Sequence, residues 1–596
     1  MQHLGIEINT KKDKLLSEQS YKLLKDYYCR DDEKSPQMAF ARAAVAFSAG
    51  NINLAQRIYD YVSKGWFMYA SPVLSNAPIK GEAINALPIS CFLSYVPDTL
   101  VGLIEHSSEL RWLSVKGGGV GGHWSDVRAV SKKAPGPMPF LHTVDADMVA
   151  YRQGRTRKGS YAAYMDVDHP DITEFVNMRI PTGDVNRKNL NLHHAVNITD
   201  DFMKAVEENT DWNLVDPASK EVSDTVKARR LWEHMLETRY RTGEPYLNFI
   251  DTANRALPES QKQKGMKIRG SNLCNEIHLV TNEERTAVCC LSSVNLELYD
   301  EWKDTPMVKD LIVFLDNVLQ FFIDHAGDEI SRARYSATQE RSLGLGAMGL
   351  HSYFQKHRIA FDSDEAITKN EEIFSRIKAK AVEATLEMGK RRGEAPDMEG
   401  TGRRNAHMLA IAPNANSSMI VDTSPSIEPW KANAFTSRTR VGSHLNKNPY
   451  LEEELEKIGK NTDDVWSMII TNGGSVQHLD FLDNHIKNVF KTAIELDQLA
   501  LIRLASDRQK YLCQGQSLNI FFPAGADKRI LHQVHYQAWK QGCKGLYYLR
   551  TETSNKAENV SQKVEREKLD DVIDPNTINF NNGTEEDQSE CVACEG

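Results

Sequence analysis

The run Ser271-Asn272-Leu273-Cys274-Asn275-Glu276-Ile277 constrains this chain more than any other stretch, because it sets a thiol between polar side chains inside an apolar frame. A short distance on, Val288-Cys289-Cys290-Leu291-Ser292-Ser293-Val294-Asn295-Leu296 reads as a second short, half-buried segment, rich in Val and Leu and carrying two more thiols. Two such segments close together predict one buried thiol site. On an extended strand Asn272, Cys274 and Glu276 would face the same way, because successive side chains alternate between faces. One face would then present an amide, a thiol and a carboxyl together. A buried thiol by itself is more often an inert small hydrophobe, and such a thiol rarely needs a carboxyl neighbour.

With 596 residues, 41% of them hydrophobic and 26% charged, the chain can bury a large core and has length for several domains. No apolar run reaches membrane-spanning length. The start, Met1-Gln2-His3-Leu4-Gly5-Ile6-Glu7, lacks a basic region followed by an apolar stretch, so cytoplasmic residence with no membrane partner is the expectation. Nine cysteines are too few for a secreted disulfide framework, and an odd count in a reducing compartment favours catalytic or free thiols. A formal charge of -10 argues against direct nucleic-acid binding.

Taken in order, residues 1–70 read as a helical region, with apolar positions near helical spacing in Ala39–Phe47 and Ala55–Val62. Ser71-Pro72 is an ordinary helix or turn start, and Asp98 an ordinary acidic cap for the amphipathic stretch after it. The glycine-rich Lys116–Gly122 lacks the Lys-Ser/Thr ending of a phosphate loop and a clean dinucleotide spacing, so its glycines predict close backbone approach to a ligand. Gln153–Ser160 is a basic loop that reads as a solvated turn. Residues 171–250 alternate helical runs with polar turns and look like scaffold, as does the apolar helix candidate Leu311–Leu319. Met408–Ile411 reads as an apolar strand before Ala412-Pro413-Asn414-Ala415-Asn416-Ser417-Ser418, whose small polar residues opening a helix suit an anion. Tyr547-Tyr548 on a strand is most often a packed pair. From about Ser554 the composition is polar and acidic, predicting a flexible tail over 554–596. Its Cys591-Val592-Ala593-Cys594 could hold half a zinc site, yet no second ligand pair lies nearby, so no metal site is expected. A mobile dithiol that exchanges with a buried disulfide explains the spacing and the mobility together.

Asn-Leu-Cys-x-Glu followed closely by Cys-x-Leu-Ser-x-x-Asn-Leu resembles the catalytic core of the ribonucleotide reductase large subunit, and further matches cover most of residues 60–550 and the last six residues. The resemblance is to class I members, without the ATP-binding cone that opens many of them, which puts overall ATP/dATP control in doubt. It implies a ten-stranded α/β barrel over 71–553, with the thiyl cysteine on a loop inside it. Leu343–Gly349 resembles a family turn near the site.

By the same resemblance Cys274 is the thiyl cysteine, Glu276 the proton acceptor, Asn272 the group that orients the sugar, and Cys91 with Cys289 the redox pair, leaving Cys290 a bystander. Substrate contacts are implied at Ser71, Ser90, Cys91, Gly119, Asn272 through Glu276 (with Leu273 and Asn275), and at the diphosphate loop Pro413, Asn414, Ala415, Asn416 and Ser417. Asp98 and Arg128 would hold an allosteric dNTP or ATP, and Arg157 would reach from effector to substrate base. Tyr547 and Tyr548 would relay a radical from a small (beta) subunit that carries the radical-generating metal centre, and no cofactor is expected to be bound covalently in this chain. Cys591 and Cys594 would re-reduce the pair, with thioredoxin or glutaredoxin restoring them, and an effector-bound homodimer is expected. The reaction implied is reduction of ribonucleoside diphosphates to 2'-deoxyribonucleotides for DNA synthesis. Two other readings stay open: an adenosylcobalamin-dependent reductase, which has no need of the tyrosine pair, and a non-catalytic nucleotide-binding dithiol protein, which leaves the Asn272, Cys274, Glu276 face unexplained.

Overall fold

A computed structural model describes residues 1–84, 86–151, 159–439 and 442–552. Arg157, Cys591 and Cys594 lie outside the described residues. After a short hairpin of Gln2–His3 and Ile6–Glu7 come helices that the sequence starts cleanly: Ser35 caps Pro36–Ala46 with Pro at the first helical position, and Asn51 caps Ile52–Val62. The helix Met307–His325 is the buried apolar one that its sequence predicts. The longest, Asp364–Arg392, is capped by Ser363, begins with Asp364 and Glu365 and ends with Lys390, Arg391 and Arg392, so its end charges oppose the helix dipole. Among the described residues no helix is long and apolar enough to cross a membrane.

The strands that matter for function are β1 (Phe67–Tyr69), β2 (Cys91–Tyr95), β3 (Gly119–His123), β4 (Tyr161–Asp166), β5 (His193–Ile198), β6 (Tyr246–Phe249), β7 (Ala287–Asn295), β8 (Leu343–Met348), β9 (Ile520–Phe522), β10 (Gly545–Leu546) and β11 (Leu549–Thr551). All but β9 and β11 form one sheet with the order β8-β7-β2-β3-β4-β5-β6-β10, with β1 paired on β7, and β9 and β11 pair with each other. Strands β2 through β6 run parallel to one another. Strand β7 runs antiparallel to β2 but parallel to β8. Beyond β8 the circuit continues through irregular backbone. Leu345 pairs in parallel with Leu409, Ile411 with Gln516, and β9 with β11, while Tyr547 donates to the Leu518 carbonyl at 2.8 Å. Since β10 pairs antiparallel with β6, the circuit closes. Eight strands on the sheet path plus the stretches at 408–411 and 514–522 make ten staves, in two parallel halves that meet at two antiparallel seams. One seam is β2–β7; the other is β6–β10.

Several sequence expectations change here. The run 271–277 is not an extended strand but a tight turn: Asn275 sits at φ 61°, a left-handed conformation that Asn tolerates, and its N–H reaches the Asn272 carbonyl at 3.3 Å. Strand β7 is buried along its whole length rather than half-buried, because sheet neighbours flank it and helices cover it. Leu343–Met348 is a buried strand and not a turn. Residues 171–250 supply β5 and β6 as well as the helix Ala228–Thr242, so that stretch is barrel wall. Strands this short, buried on both faces, carry no alternation for a pattern to detect.

Candidate active site

The loop from Ser271 to Ile277 enters the barrel because three glycines leave it room. A Cβ on Gly121 would stand 1.9 Å from the Ser271 carbonyl oxygen, and one on Gly545 would stand 2.4 Å from Asn275 Nδ2. Gly270 lies against the Tyr164 ring in the same way. The close approach expected of the glycine-rich stretch is therefore to the protein's own loop. Pinning is by hydrogen bonds: Tyr164 Oη donates to the Asn272 carbonyl at 2.6 Å, and Asn275 Nδ2 donates to the Leu247 and Leu546 carbonyls at 3.3 and 3.4 Å, across the β6–β10 seam.

Within the loop Asn272 is the knot. Its Oδ1 accepts from the backbone N–H groups of Glu276 and Ile277, both at 3.1 Å, while its Nδ2 donates to Glu276 Oε1 at 2.9 Å and faces Cys91 Sγ at 3.7 Å. The Ser517 hydroxyl lies 3.0 Å from the other carboxylate oxygen of Glu276 and 2.7 Å from the Cys274 carbonyl. Asn272, Cys274 and Glu276 are all at 0% exposure. The amide and the carboxyl meet, through a turn and not through strand alternation, and the Cys274 backbone lies on the same turn.

Cys91 and Cys289 face each other in register across the β2–β7 seam. Directly opposed residues of an antiparallel pair put their side chains on one face, with Cα atoms about 4.5–5.5 Å apart, a separation that a disulfide spans without backbone movement. Both are buried. Burial pushes the Cys289 thiol well above its ordinary value, with Cys91, Cys290 and Glu276 adding to the rise, against a hydrogen bond from Gln514 Nε2 at 3.5 Å. Cys290, next along the strand, is buried too, and burial raises it as well. Ser90 Oγ lies 3.9 Å from Cys91 Sγ, and Gly119 pairs with Cys91 on β3. Leu273 is buried in the core.

Further along β7 from Cys289, Asn414, at φ 58°, opens the helix Ala415–Ile420. Ser293 donates to its Oδ1 at 2.7 Å, which ties the loop to β7, and Ser417 Oγ reaches the Tyr69 carbonyl of β1 at 3.4 Å. Pro413, Ala415 and Asn416 are half-buried and flank the backbone N–H groups at the helix start. Ser71 begins the short helix after β1, and its hydroxyl meets Tyr28 Oη at 2.8 Å.

Tyr547 and Tyr548 stand between β10 and β11, both buried, with ring centroids 4.3 Å apart. Tyr246 of β6 packs on both, at 4.8 and 5.1 Å. Tyr548 Oη lies 3.2 Å from His193 Nδ1, and the Arg550 guanidinium sits 4.3 Å above its ring. His193 in turn meets the buried Glu244, which Arg179 and His194 also hold, and these partners keep that carboxyl well below the usual range against its burial.

Asp98 and Arg128 pair with each other at 2.8 Å on the outside. Asp98 is not a helix cap: Thr99 caps Leu100–Val115 instead. Tyr246, His193, Gln514 and Ser517 escaped the sequence reading, because each joins the site through the fold and none carries a local signal. Among the described residues no group of acidic, His or Cys side chains could hold a metal ion.

Residues 14–82 match the family model of the ribonucleotide reductase all-alpha domain, and residues 89–401 and 396–549 that of the ribonucleotide reductase barrel domain. A protein of Frog virus 3 (isolate Goorha) named as a ribonucleoside-diphosphate reductase large subunit is 60% identical, over 86% of this chain and 90% of its own length. The ribonucleoside-diphosphate reductase large subunit of Invertebrate iridescent virus 3 is 42% identical over 99% of this chain and 100% of its own. The class Id ribonucleotide reductase alpha subunit of Actinobacillus ureae superposes with a TM-score of 0.81 at 35% identity, covering 91% of this chain and 98% of that one. The chain belongs to the large-subunit family of the ribonucleotide reductases, a family of oxidoreductases.

Proposed function

We propose that Cys274 carries the radical step of ribonucleoside-diphosphate reduction in this chain. The reading rests above all on the in-register Cys91–Cys289 pair, joined through Asn272 to Glu276 beside Cys274. The Cys274 thiyl takes the 3'-hydrogen of the ribose, and Glu276 takes the 3'-hydroxyl proton. The protonated 2'-hydroxyl leaves as water. Cys91 and Cys289 give two electrons and two protons and close to a disulfide, and Cys274 returns its hydrogen to C3'. Asn272 holds the sugar and the carboxylate in one geometry, which supplies the orientation that acid–base catalysis requires. Full burial of the loop keeps solvent from quenching the radical.

The loop Pro413 through Ser417 offers the backbone N–H groups of Ala415, Asn416 and Ser417 to the substrate diphosphate, with Ser71, Ser90 and Gly119 closing around the nucleoside. Tyr548 and Tyr547 link Cys274 to a radical held by a small subunit whose metal centre supplies the oxidising equivalent. Cys591 and Cys594 re-reduce the disulfide and are restored by thioredoxin or glutaredoxin. Effector dNTP binds at Asp98 and Arg128, with Arg157 as the reporter to the substrate base. Leu100, Val101, Ile104, Trp112 and Val115 leave an exposed apolar stripe on the helix after Asp98, which supports a homodimer through that face.

The test is CDP reduction with dithiothreitol, with and without a class I small subunit, comparing wild type with Tyr548→Phe. Partner-dependent dCDP formation that the variant loses is the expected result. Turnover that needs adenosylcobalamin and survives Tyr548→Phe would replace the relay with the cobalamin reading.

A further inference from the structure

Outside the reductase centre Cys513 stands in an environment unlike those of Cys29 and Cys543. Cys513 is partly exposed at the rim of the barrel, and Lys378 Nζ lies 3.0 Å from its sulfur. The backbone N–H of Met408 also points at the sulfur. Lys378 is on the long helix Asp364–Arg392, and Cys513 is on a strap fixed by Lys544, whose Nζ is held by the carbonyls of Leu512, Cys513 and Gln514 at 3.4, 2.7 and 2.8 Å. Neither atom of the pair is therefore on a loose element. Arg403 adds positive charge, its guanidinium 3.0 Å from Met408 Sδ. The neutral ring of His407 completes the cluster: it is 1% exposed, and neither ring nitrogen has a hydrogen-bond partner among the described residues.

We propose that Cys513 and Lys378 form a peroxide-sensitive modification site, in which the oxidised sulfur is trapped as a covalent S–N bond to the lysine. The resting pair is a thiolate and an ammonium. The thiolate attacks the O–O bond of hydrogen peroxide, so sulfur is oxidised to sulfenic acid and the peroxide is reduced, releasing hydroxide. Lys378 gives that hydroxide a proton, forming water and a neutral amine at contact distance. The amine displaces the sulfenic hydroxyl, the S–O bond breaks, an S–N bond forms and a second water leaves. Thiolate, ammonium and peroxide thus give one sulfenamide and two waters, and a thiol reductant reverses the step.

The surroundings support this order of reactivity. Lys378, the Met408 N–H and Arg403 bring Cys513 down to about 7 against the burial of its sulfur, whereas burial and Glu33 push Cys29 up to about 11, and burial pushes Cys543 to about 12. Nucleophilic oxidation follows thiolate content and access. The strap also reaches the centre: Gln514 bonds Cys289, the Gly515 N–H bonds the Glu276 carbonyl at 2.7 Å, and Ser517 meets the Glu276 carboxylate. A bond from Cys513 to Lys378 would pin that strap at its outer end.

The experiment treats the full chain with a small excess of hydrogen peroxide and reads peptides by mass spectrometry. Wild type is expected to yield a Lys378–Cys513 peptide pair lighter than the sum of its parts by two hydrogens, lost on dithiothreitol treatment. Lys378→Arg keeps the cation but cannot condense, so Cys513 should still oxidise quickly and be captured as sulfenic acid by a dimedone-type probe, with no cross-link. Lys378→Met should slow Cys513 oxidation about tenfold, as expected for a loss of thiolate. Equal oxidation rates in wild type and Lys378→Met, or oxidation of Cys29 before Cys513, would overturn the proposal. So would an oxidised Cys513 in wild type with no bond to Lys378.

Discussion

Cys289 and Cys513 are tied to the same short strap, yet their surroundings give them opposite chemistry. Gln514 donates to the sulfur of Cys289, and Cys513 is the residue just before Gln514. Cys289 lies on a strand sealed on all sides, so desolvation dominates and holds it as a thiol. Cys513 lies at the rim, where Lys378, the Met408 N–H and Arg403 together outweigh the burial penalty and favour the thiolate. In the redox role proposed for Cys289, a thiol that must give up hydrogen as part of a dithiol gains from staying protonated and dry. A thiol exposed to oxidant reacts by being ionised. Residue identity fixes neither outcome; the nearest cation and the depth of burial do.

The strongest way to break this contrast is by serine substitution. Cys289→Ser should abolish multiple-turnover CDP reduction, since no disulfide can close with Cys91, while Cys513→Ser should keep turnover within about twofold of wild type. Comparable losses in both variants would mean that the strap thiol is part of the reductase centre.

Alkylation sharpens the comparison by pH. With iodoacetamide on the folded chain, Cys513 should reach half its maximal rate near pH 7, where its thiolate forms, and Cys289 should stay unmodified through pH 9. A rate ratio below about tenfold at pH 7.5 would show that burial protects Cys289 less than the fold implies.

Packing differs as well. A Cβ on Gly344 would stand 2.8 Å from Cys289 Sγ and 2.5 Å from Leu291 Cδ2, so Gly344→Ala should destabilise by about 1–3 kcal/mol and lower turnover. Thermal unfolding checks the first effect. An unchanged melting temperature would show slack around β8 that these distances do not contain.

How much of this was legible in the sequence divides along the same line. The run around Cys274 and the cysteines at 91 and 289 were readable, because a thiol between an amide and a carboxyl is an unusual local pattern and because it resembles a family. The geometry behind it was not. Asn272 and Glu276 meet on a turn made by a left-handed Asn275 and a glycine on a distant strand, and neither leaves a periodic trace. Strands β5, β6 and β8 were passed over, since short strands inside a closed sheet look like any apolar run. Tyr246 was missed beside a tyrosine pair that was found, because only β6–β10 pairing brings it there. Cys513 carried no signal at all: its partner Lys378 lies 135 residues away.

The smallest expected effect is thermodynamic and separates the two thiols by sign. Folding lowers the Cys513 pKa from 9.0 to about 7, so its ionised form contributes stability that is complete above the unfolded value and lost as pH falls through about 7. Folding raises the Cys289 pKa, so its protonated form contributes stability that is present below the unfolded value and lost as pH rises. For Cys513 the linkage ceiling is about 2–3 kcal/mol, and solvent screening at a partly exposed rim reduces it to about 1 kcal/mol. Serine does not titrate in this range. The melting temperature of wild type relative to Cys513→Ser should therefore rise between pH 7 and pH 9, and relative to Cys289→Ser it should stay level or fall. If both differences moved in the same direction, Lys378 and its neighbours would not be outweighing burial at Cys513, and the two thiols would share one environment.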